Sequence, residues 1–288
     1  MRKYYSPLRY PGGKGVLGEF LKTILLYNNL ENYSYFEPYA GGAGAALYLL
    51  FDDIVKDIHL NDLDSAIYSF WWAILHETER FIRLVNDTEV TVDQWHTQRQ
   101  ILDNEKDDML AIGFALFYLN RTNRSGIILN AGPIGGYEQD GRWLIDARYN
   151  KAELISRIKN IARVKNKIFI SNMDGQRFVQ QKVENAENNA FVFFDPPYYK
   201  KGKTLYLAFE QDHHMQLAGM VKSLRIPWIM TYDNSQEIID LYKSEFSIYE
   251  YGLNYSLQTK KKAKEILLRS SGIVIPKFYY QAYNQLKI

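Results

Sequence analysis

Residues 191–198, Phe191-Val192-Phe193-Phe194-Asp195-Pro196-Pro197-Tyr198, constrain the fold of this chain more than any other stretch. An unbroken apolar run of aromatic and β-branched residues reads as a strand buried on both faces, the habit of a parallel sheet covered by helices. Two prolines cannot continue a central strand, so the strand stops at Asp195 and the chain leaves in a stiff turn. Open α/β sheets place their ligand crevice outside the carboxyl ends of the strands. The Asp195 carboxylate and the turn's unpaired carbonyls are then hydrogen-bond acceptors in that crevice, with the Tyr198 ring beside them as a stacking surface. This set suits a flat molecule with an amino group, and an amino-bearing nucleobase is such a molecule.

The rest of the chain carries the pattern that such a strand demands. Strands are expected at 35–37, 54–60, 167–171, 190–194, 227–231, 246–251 and 265–270. The last two form a hairpin through 252–264. Helical periodicity marks 45–51, 65–85, 92–102, 109–119 and 152–164, and 120–150 is loop-rich and polar. Strands alternating with helices predict a mainly parallel α/β sheet covered on both faces, with the helical stretch inserted into it, because the sheet pattern resumes afterwards. The expected division is a sheet domain of 1–65 and 166–288 around an insert of 66–165.

The chain has no cysteine, which excludes disulfides and thiolate metal sites. The five histidines form no ligand pattern, so no metal is expected. No stretch has the apolar length of a membrane span and the start does not read as a signal peptide, so the expected setting is the cytoplasm. The net charge of +2 hides a segregation of sign: residues 52–108 hold 14 acidic against 5 basic residues, and residues 120–165 hold 9 basic against 4 acidic. Residues 1–27 and the Lys260-Lys261-Lys262 cluster are also basic. One face can thus meet a polyanion while the total stays near neutral.

Glu37-Pro38-Tyr39-Ala40-Gly41-Gly42-Ala43-Gly44 follows a strand and opens a helix, so its backbone can approach a ligand closely. Asp62 lies 18 residues beyond Gly44 at the end of the next strand, where an acid meets ribose hydroxyls. An adenosine-containing cofactor is implied. The dinucleotide fingerprint G-x-G-x-x-G and the P-loop are both missing, and Glu37 would repel a pyrophosphate. S-adenosylmethionine, with a sulfonium, an ammonium and no phosphate, is the compatible choice. Pro7-Leu8-Arg9-Tyr10-Pro11-Gly12-Gly13-Lys14 reads as a second lip of the same site.

Taken in order, Pro7–Lys14, Glu37–Gly44 and Asp195–Tyr198 resemble the motifs of the Dam-type, alpha-group adenine-N6 DNA methyltransferases, over nearly the whole chain. The resemblance implies a Rossmann-like S-adenosylmethionine-dependent methyltransferase sheet with a mainly helical DNA-recognition insert. It implies that Tyr10, Gly12, Gly13, Lys14, Glu37, Pro38, Gly41, Gly44, Asp62, Leu63, Asp174 and Asp195 bind the cofactor. Here Asp62 takes the ribose, Leu63 packs on the adenine, and Asp174 meets the adenine amine. Asp195, Pro196, Pro197 and Tyr198 would be catalytic, holding the N6 amine of an adenine flipped out of duplex DNA.

At the recognition loop, GATC-methylating members resemble N-R-x-G-Y-N-G-L, whereas this chain has Asn120-Arg121-Thr122-Asn123-Arg124-Ser125-Gly126. A GATC target does not transfer. Asn123, Arg124 and Ser125 are the expected readers of base edges. Asn120, Arg121, Arg9 and Lys260 complete the expected DNA contacts, and Arg121 and Arg148 could contact phosphate or brace the fold. Expected partners are double-stranded DNA and a cognate restriction endonuclease, with the chain itself a monomer. Cytosine-N4 methylation, a non-catalytic DNA-binding relative and a nicotinamide-dependent oxidoreductase are the alternative readings.

Overall fold

The computed structural model describes residues 5–9, 17–186, 189–199, 211–254, 262–277 and 283–285. Strand β4 (Ala190–Phe194) is buried at every position and lies at the centre of the sheet. It pairs in parallel with β1 (Ser34–Glu37) on one side and β5 (Trp228–Asp233) on the other. Beyond β1 come β2 (Asp57–Asn61) and β3 (Ile168–Ser171), both parallel. Beyond β5 the sheet turns antiparallel through β7 (Lys262–Arg269), β6 (Ile248–Asn254) and the short edge strand β8 (Tyr283–Gln285). The order β3-β2-β1-β4-β5-β7-β6-β8 confirms the expected α/β sheet and its antiparallel hairpin. Chain direction across the sheet reverses between β1 and β4, which puts the ligand crevice at the carboxyl ends of those two strands.

Both faces are apolar because the strands alternate between two cores. Tyr35, Phe191, Phe193 and Ile229 point to one side, Phe36, Val192, Phe194 and Met230 to the other. The first face is covered by α1 (Gly18–Tyr27), α2 (Gly44–Phe51) and the helical layer of α3 (Ser65–His76), α4 (Thr78–Asp87), α5 (Val92–Asn104), α6 (Met109–Thr122) and α7 (Lys151–Arg163). The second takes α8 (Gly175–Phe178) with the π-helical turn Val179–Val183, α9 (Gln211–Ser223) and α10 (Gln236–Tyr242). Each large side chain withdrawn from water here contributes on the order of 1.5–3 kcal/mol. The helical layer shares one continuous core with the sheet face, through Phe70, Trp71 and Phe117.

Several boundaries differ from the sequence expectation. The single helix expected over 65–85 is two, broken at Glu77, and the bend lets Phe81 fold back onto Phe70 and Phe117 at 5.9 and 5.4 Å. Strand β2 starts at Asp57 rather than 54, because Asp53 adopts a left-handed turn and the Ile54 amide closes the end of α2 on Leu49 O. Helix α1 was not expected, although Phe20, Leu21, Ile24 and Leu25 give it a buried stripe. Strands β5 and β6 run two and three residues past their expected ends, and β7 starts three residues early.

Candidate active site

Glu37 ends β1 and Asp195 follows β4, so the topology sets two carboxyl groups on adjacent strands at the reversal point. Glu37 is buried; its Oε1 accepts a 2.9 Å bond from Tyr35 Oη, and the Ala46 amide at the start of α2 also donates to it. Burial pushes its carboxyl up to about 8, the charge of Asp195 adds to the rise, and the Tyr35 bond opposes it. No described basic side chain pairs with Glu37. Among the described residues this buried acid has no partner cation, and the sulfonium and ammonium of S-adenosylmethionine suit such a group.

The glycine loop is welded in place rather than left open. Gly41 donates its amide to Asp62 Oδ2 at 2.9 Å, and its carbonyl accepts from Trp71 Nε1 at 2.9 Å. Its backbone amide and carbonyl are thus both engaged within the protein. Ala43, the residue before α2, sits at φ 46, a left-handed conformation that costs a non-glycine residue on the order of 1 kcal/mol. Gly44 opens α2 directly behind it.

Asp62 accepts the Gly41 and Asp64 amides, one on each oxygen. Burial pushes its carboxyl up to about 7, while those two amides favour its charged form. Leu63 beside it is 55 % exposed, an apolar side chain turned outward at the rim of the crevice. Asp174 caps α8, its Oδ1 accepting from Gln176 N and Arg177 N at 2.9 and 3.1 Å.

Three positioning residues escaped the sequence reading. Asn61, buried at the end of β2, donates to Pro38 O and Met173 O and accepts from Met173 N, stitching the glycine loop to the turn after β3. Thr231, fully buried, donates to Asp195 Oδ1 at 2.8 Å and fixes that carboxylate. Asp233 accepts from Tyr199 N at 2.9 Å, tying the turn after Tyr198 to the end of β5. The signal was present: the apolar run of β5 ends in Thr231-Tyr232-Asp233, polar groups at the same carboxyl edge. Pro196 is buried, and Pro197 and Tyr198 are partly exposed, Tyr198 resting on the second core.

At the recognition loop the structure corrects part of the expectation. Asn123 is fully buried; its Oδ1 accepts from Trp95 Nε1 and its Nδ2 donates to Ile127 O. Its amide is occupied inside the protein and presents no edge to a base. Asn120 is likewise buried, its side chain clamped on both backbone groups of Arg9 and on Gly126 O. Gly126 needs its φ of +73, and a Cβ there would lie 2.6 Å from Arg9 O, so the clamp admits no side chain. Arg121 braces the fold by donating to Arg148 O at 2.7 Å. Burial, with Arg9, Arg157 and Arg148 nearby, lowers its guanidinium to about 9, against which Glu153 acts. Arg124 is exposed, and Ser125 is partly exposed in a left-handed turn. Tyr10, Gly12, Gly13, Lys14 and Lys260 lie outside the described residues.

A mainly parallel sheet with acids at its reversal point, a glycine loop and an Asp-Pro-Pro-Tyr turn is the frame of an α/β protein with a ligand crevice at its carboxyl edge. Comparison with known proteins narrows this class. The pattern of the D12 class N6 adenine-specific DNA methyltransferases matches residues 10–257, and the chain belongs to that family. The type II methyltransferase M.MjaIII of Methanocaldococcus jannaschii is 22% identical over 241 residues, covering 75% of this chain and 79% of that protein. M1.LlaDCHI of Lactococcus lactis subsp. cremoris, also a type II methyltransferase, is 21% identical over 256 residues, covering 84% and 85%. Among solved structures, the rRNA methyltransferase aviRa from Streptomyces viridochromogenes superimposes with a TM-score of 0.37 at 10% identity, over 92% of this chain and 88% of that one. The protein is thus a methyltransferase acting on N6 of adenine in DNA, and S-adenosyl-L-methionine is its methyl donor. The cytosine-N4, non-catalytic and nicotinamide alternatives fall away. No described helix is long and apolar enough to cross a membrane.

Proposed function

We propose that the carboxyl edge of β1, β2 and β4 is where the methyl group is transferred, and that the chain belongs with the Dam-type, alpha-group enzymes. The observation that carries this is the Thr231-held carboxylate of Asp195, next to the buried acid Glu37, which has no partner cation among the described residues. Glu37, with Pro38, Gly41 and Gly44 shaping the loop around it, holds the methionine end of the cofactor. Asp62 takes the ribose hydroxyls, Leu63 packs on the adenine, and Asp174 meets its amine. Tyr10, Gly12, Gly13 and Lys14 close the same site. Bound there, S-adenosyl-L-methionine supplies an electrophilic methyl on sulfur.

The protein's own part is alignment. The N6 lone pair of adenine is delocalised into the ring and is a poor nucleophile. Asp195 and the Pro196 carbonyl accept hydrogen bonds from its two N–H groups, which turns the lone pair toward the methyl, and Tyr198 stacks on the base. Pro197 stiffens the turn that holds these groups. Such orientation lowers the barrier by several kcal/mol. The target must leave the duplex to reach these groups.

Residues 66–165 serve as the target-recognition region on a sheet domain of 1–65 and 166–288. Arg124 and Ser125 read base edges, and Arg9, Arg121 and Arg148 form a cationic cluster facing the phosphates, with Lys260 as a further contact. Asn120 and Asn123 act by holding that loop in shape. Both relatives are named type II methyltransferases, and a role beside a cognate restriction endonuclease is proposed from that; a monomeric state and a cytoplasmic setting are part of the same proposal. The test is expression in a methylation-free host with modified bases mapped by long-read sequencing. One adenine context becomes N6-methylated with the wild-type chain and none with Asp195→Ala, while DNA binding of that variant persists. Wild-type turnover by Asp195→Ala sinks the reading.

A further inference from the structure

We propose that His214, in the first turn of α9, is a positioning residue for methyl transfer: its imidazole, anchored on Tyr232, backs the Tyr199 ring and so fixes Tyr198 beside the target base. This deepens the transfer reading above and rests on it. Pro196 and Pro197 have no N–H, so the turn that aligns the base cannot be pinned through their amides. It depends on the side chains packed around it.

Successive residues at the end of β5 supply that support. Thr231 Oγ1 donates to Asp195 Oδ1 at 2.8 Å, and Asp233 Oδ1 accepts from Tyr199 N at 2.9 Å. Tyr232, between them, points to the opposite face of the sheet, into the second core. There its Oη shares a 2.7 Å hydrogen bond with His214 Nδ1, and both side chains are buried. The His214 ring in turn lies 5.2 Å from the Tyr199 ring, inclined at 58°. The backbone of Tyr199 is thus held from β5 and its ring from α9. The preceding residue ties the same helix to the cofactor side: His213 O accepts from Gln176 Nε2 at 3.4 Å, and Gln176 N donates to Asp174 Oδ1 at 2.9 Å.

Packing alone does not account for an imidazole at this place. Leu217, Ala218 and Val221 of the same helix are buried and apolar, and burying a polar ring among them carries a desolvation cost. The cost shows in the ring's basicity: burial, with His213 adding to it, lowers His214 to about 4. The ring is therefore neutral at physiological pH. Burial keeps the Tyr232 phenol protonated, so its O–H is available to donate to Nδ1. What the imidazole gains over leucine or phenylalanine is a fixed orientation, set by that bond and passed to Tyr199.

The test measures kcat per folded molecule, at saturating cofactor and DNA, together with hydrogen exchange at the Tyr199 amide. The variants are His214→Phe, His214→Ala, Tyr232→Phe, Tyr199→Ala and the double His214→Ala/Tyr199→Ala. His214→Phe keeps a ring and loses the anchor, whereas His214→Ala loses both. A misplacement of 1 Å costs about 100-fold, so kcat is expected to fall about 5-fold in His214→Phe and about 30-fold in His214→Ala. KM for cofactor and for DNA stays within about twofold, because the loss is one of alignment in the transition state. Tyr232→Phe breaks the same bond and matches His214→Phe. The double variant is no slower than Tyr199→Ala alone, since His214 acts through that ring. Exchange at the Tyr199 amide quickens about tenfold in His214→Ala, while the amides of β4 and β5 keep their protection. Wild-type kcat in His214→Ala and His214→Phe overturns the proposal, as do additive losses in the double variant. Protection lost throughout β4 and β5 also overturns it and makes His214 a core residue only. If the wild type moves no methyl to DNA, the transfer reading falls, and exchange at Tyr199 still decides whether His214 holds the turn.

Discussion

Thr231→Val isolates the hydrogen bond that fixes the proposed amine aligner. Thr231 Oγ1 donates to Asp195 Oδ1 at 2.8 Å from a fully buried position, and valine keeps the shape while removing the donor. A hydrogen bond to a charged group is worth roughly 1.5–3 kcal/mol when its loss leaves the partner dry. Asp195 is partly exposed, so water can replace the donor, and a discounted loss of about 1–2 kcal/mol is the reasonable expectation. If that loss is felt only when Asp195 grips the amine, kcat falls about 5- to 30-fold, at ~1.4 kcal/mol per tenfold. KM for cofactor and for DNA should move little, because neither is bound through Thr231.

The assay is transfer of labelled methyl to a duplex carrying the mapped site, with saturating cofactor, alongside a thermal melt. Thr231→Ser restores the hydroxyl and should recover most of the rate despite the small cavity it leaves. The reasoning is refuted if Thr231→Val turns over like the wild type, or if serine and valine lose rate equally. The second result would make the lost methyl packing, and not the hydrogen bond, the cause.

Two other perturbations probe the cofactor side. Glu37 titrates at about 8 in the ligand-free protein against an ordinary 4.5, so at neutral pH it is mostly protonated, while a cationic ligand favours its carboxylate. Cofactor binding should release a proton and tighten by up to about tenfold per pH unit from pH 6 toward 8, then level off. Calorimetry in buffers of different ionisation enthalpy reads that proton directly, and a pH-independent Kd would remove Glu37 from the cationic end. The same shift makes the ligand-free fold less stable as pH rises from 4.5 to 8, because the folded carboxyl keeps its proton longer than the unfolded one. Leu63→Ser removes a half-exposed apolar surface, so stability should change by less than about 0.5 kcal/mol. Cofactor Kd should rise about 5-fold, from the ~1 kcal/mol of packing that the remaining exposed area can supply; unchanged affinity would place the adenine elsewhere.

The central sheet was legible because its strands are buried on both faces and read as unbroken apolar runs ending in prolines, glycines or acids. Phe191–Phe194 is such a run, and both neighbours of β4 were found from the same signal. The bend at Glu77 was hidden, since residues on either side keep helical periodicity and only the packing of Phe81 on Phe117 demands the break. The recognition loop misled for a different reason. Asparagine has the same donors and acceptors whether it reads adenine or braces a turn, and residue type cannot separate the two uses. Burial separates them: the amide of Asn123 is consumed by Trp95 and Ile127, which leaves Arg124 facing outward. Specificity in this chain should therefore be sought where polar groups are exposed on the loop. The asparagines that look like readers in the sequence are what make that loop stiff enough to read with.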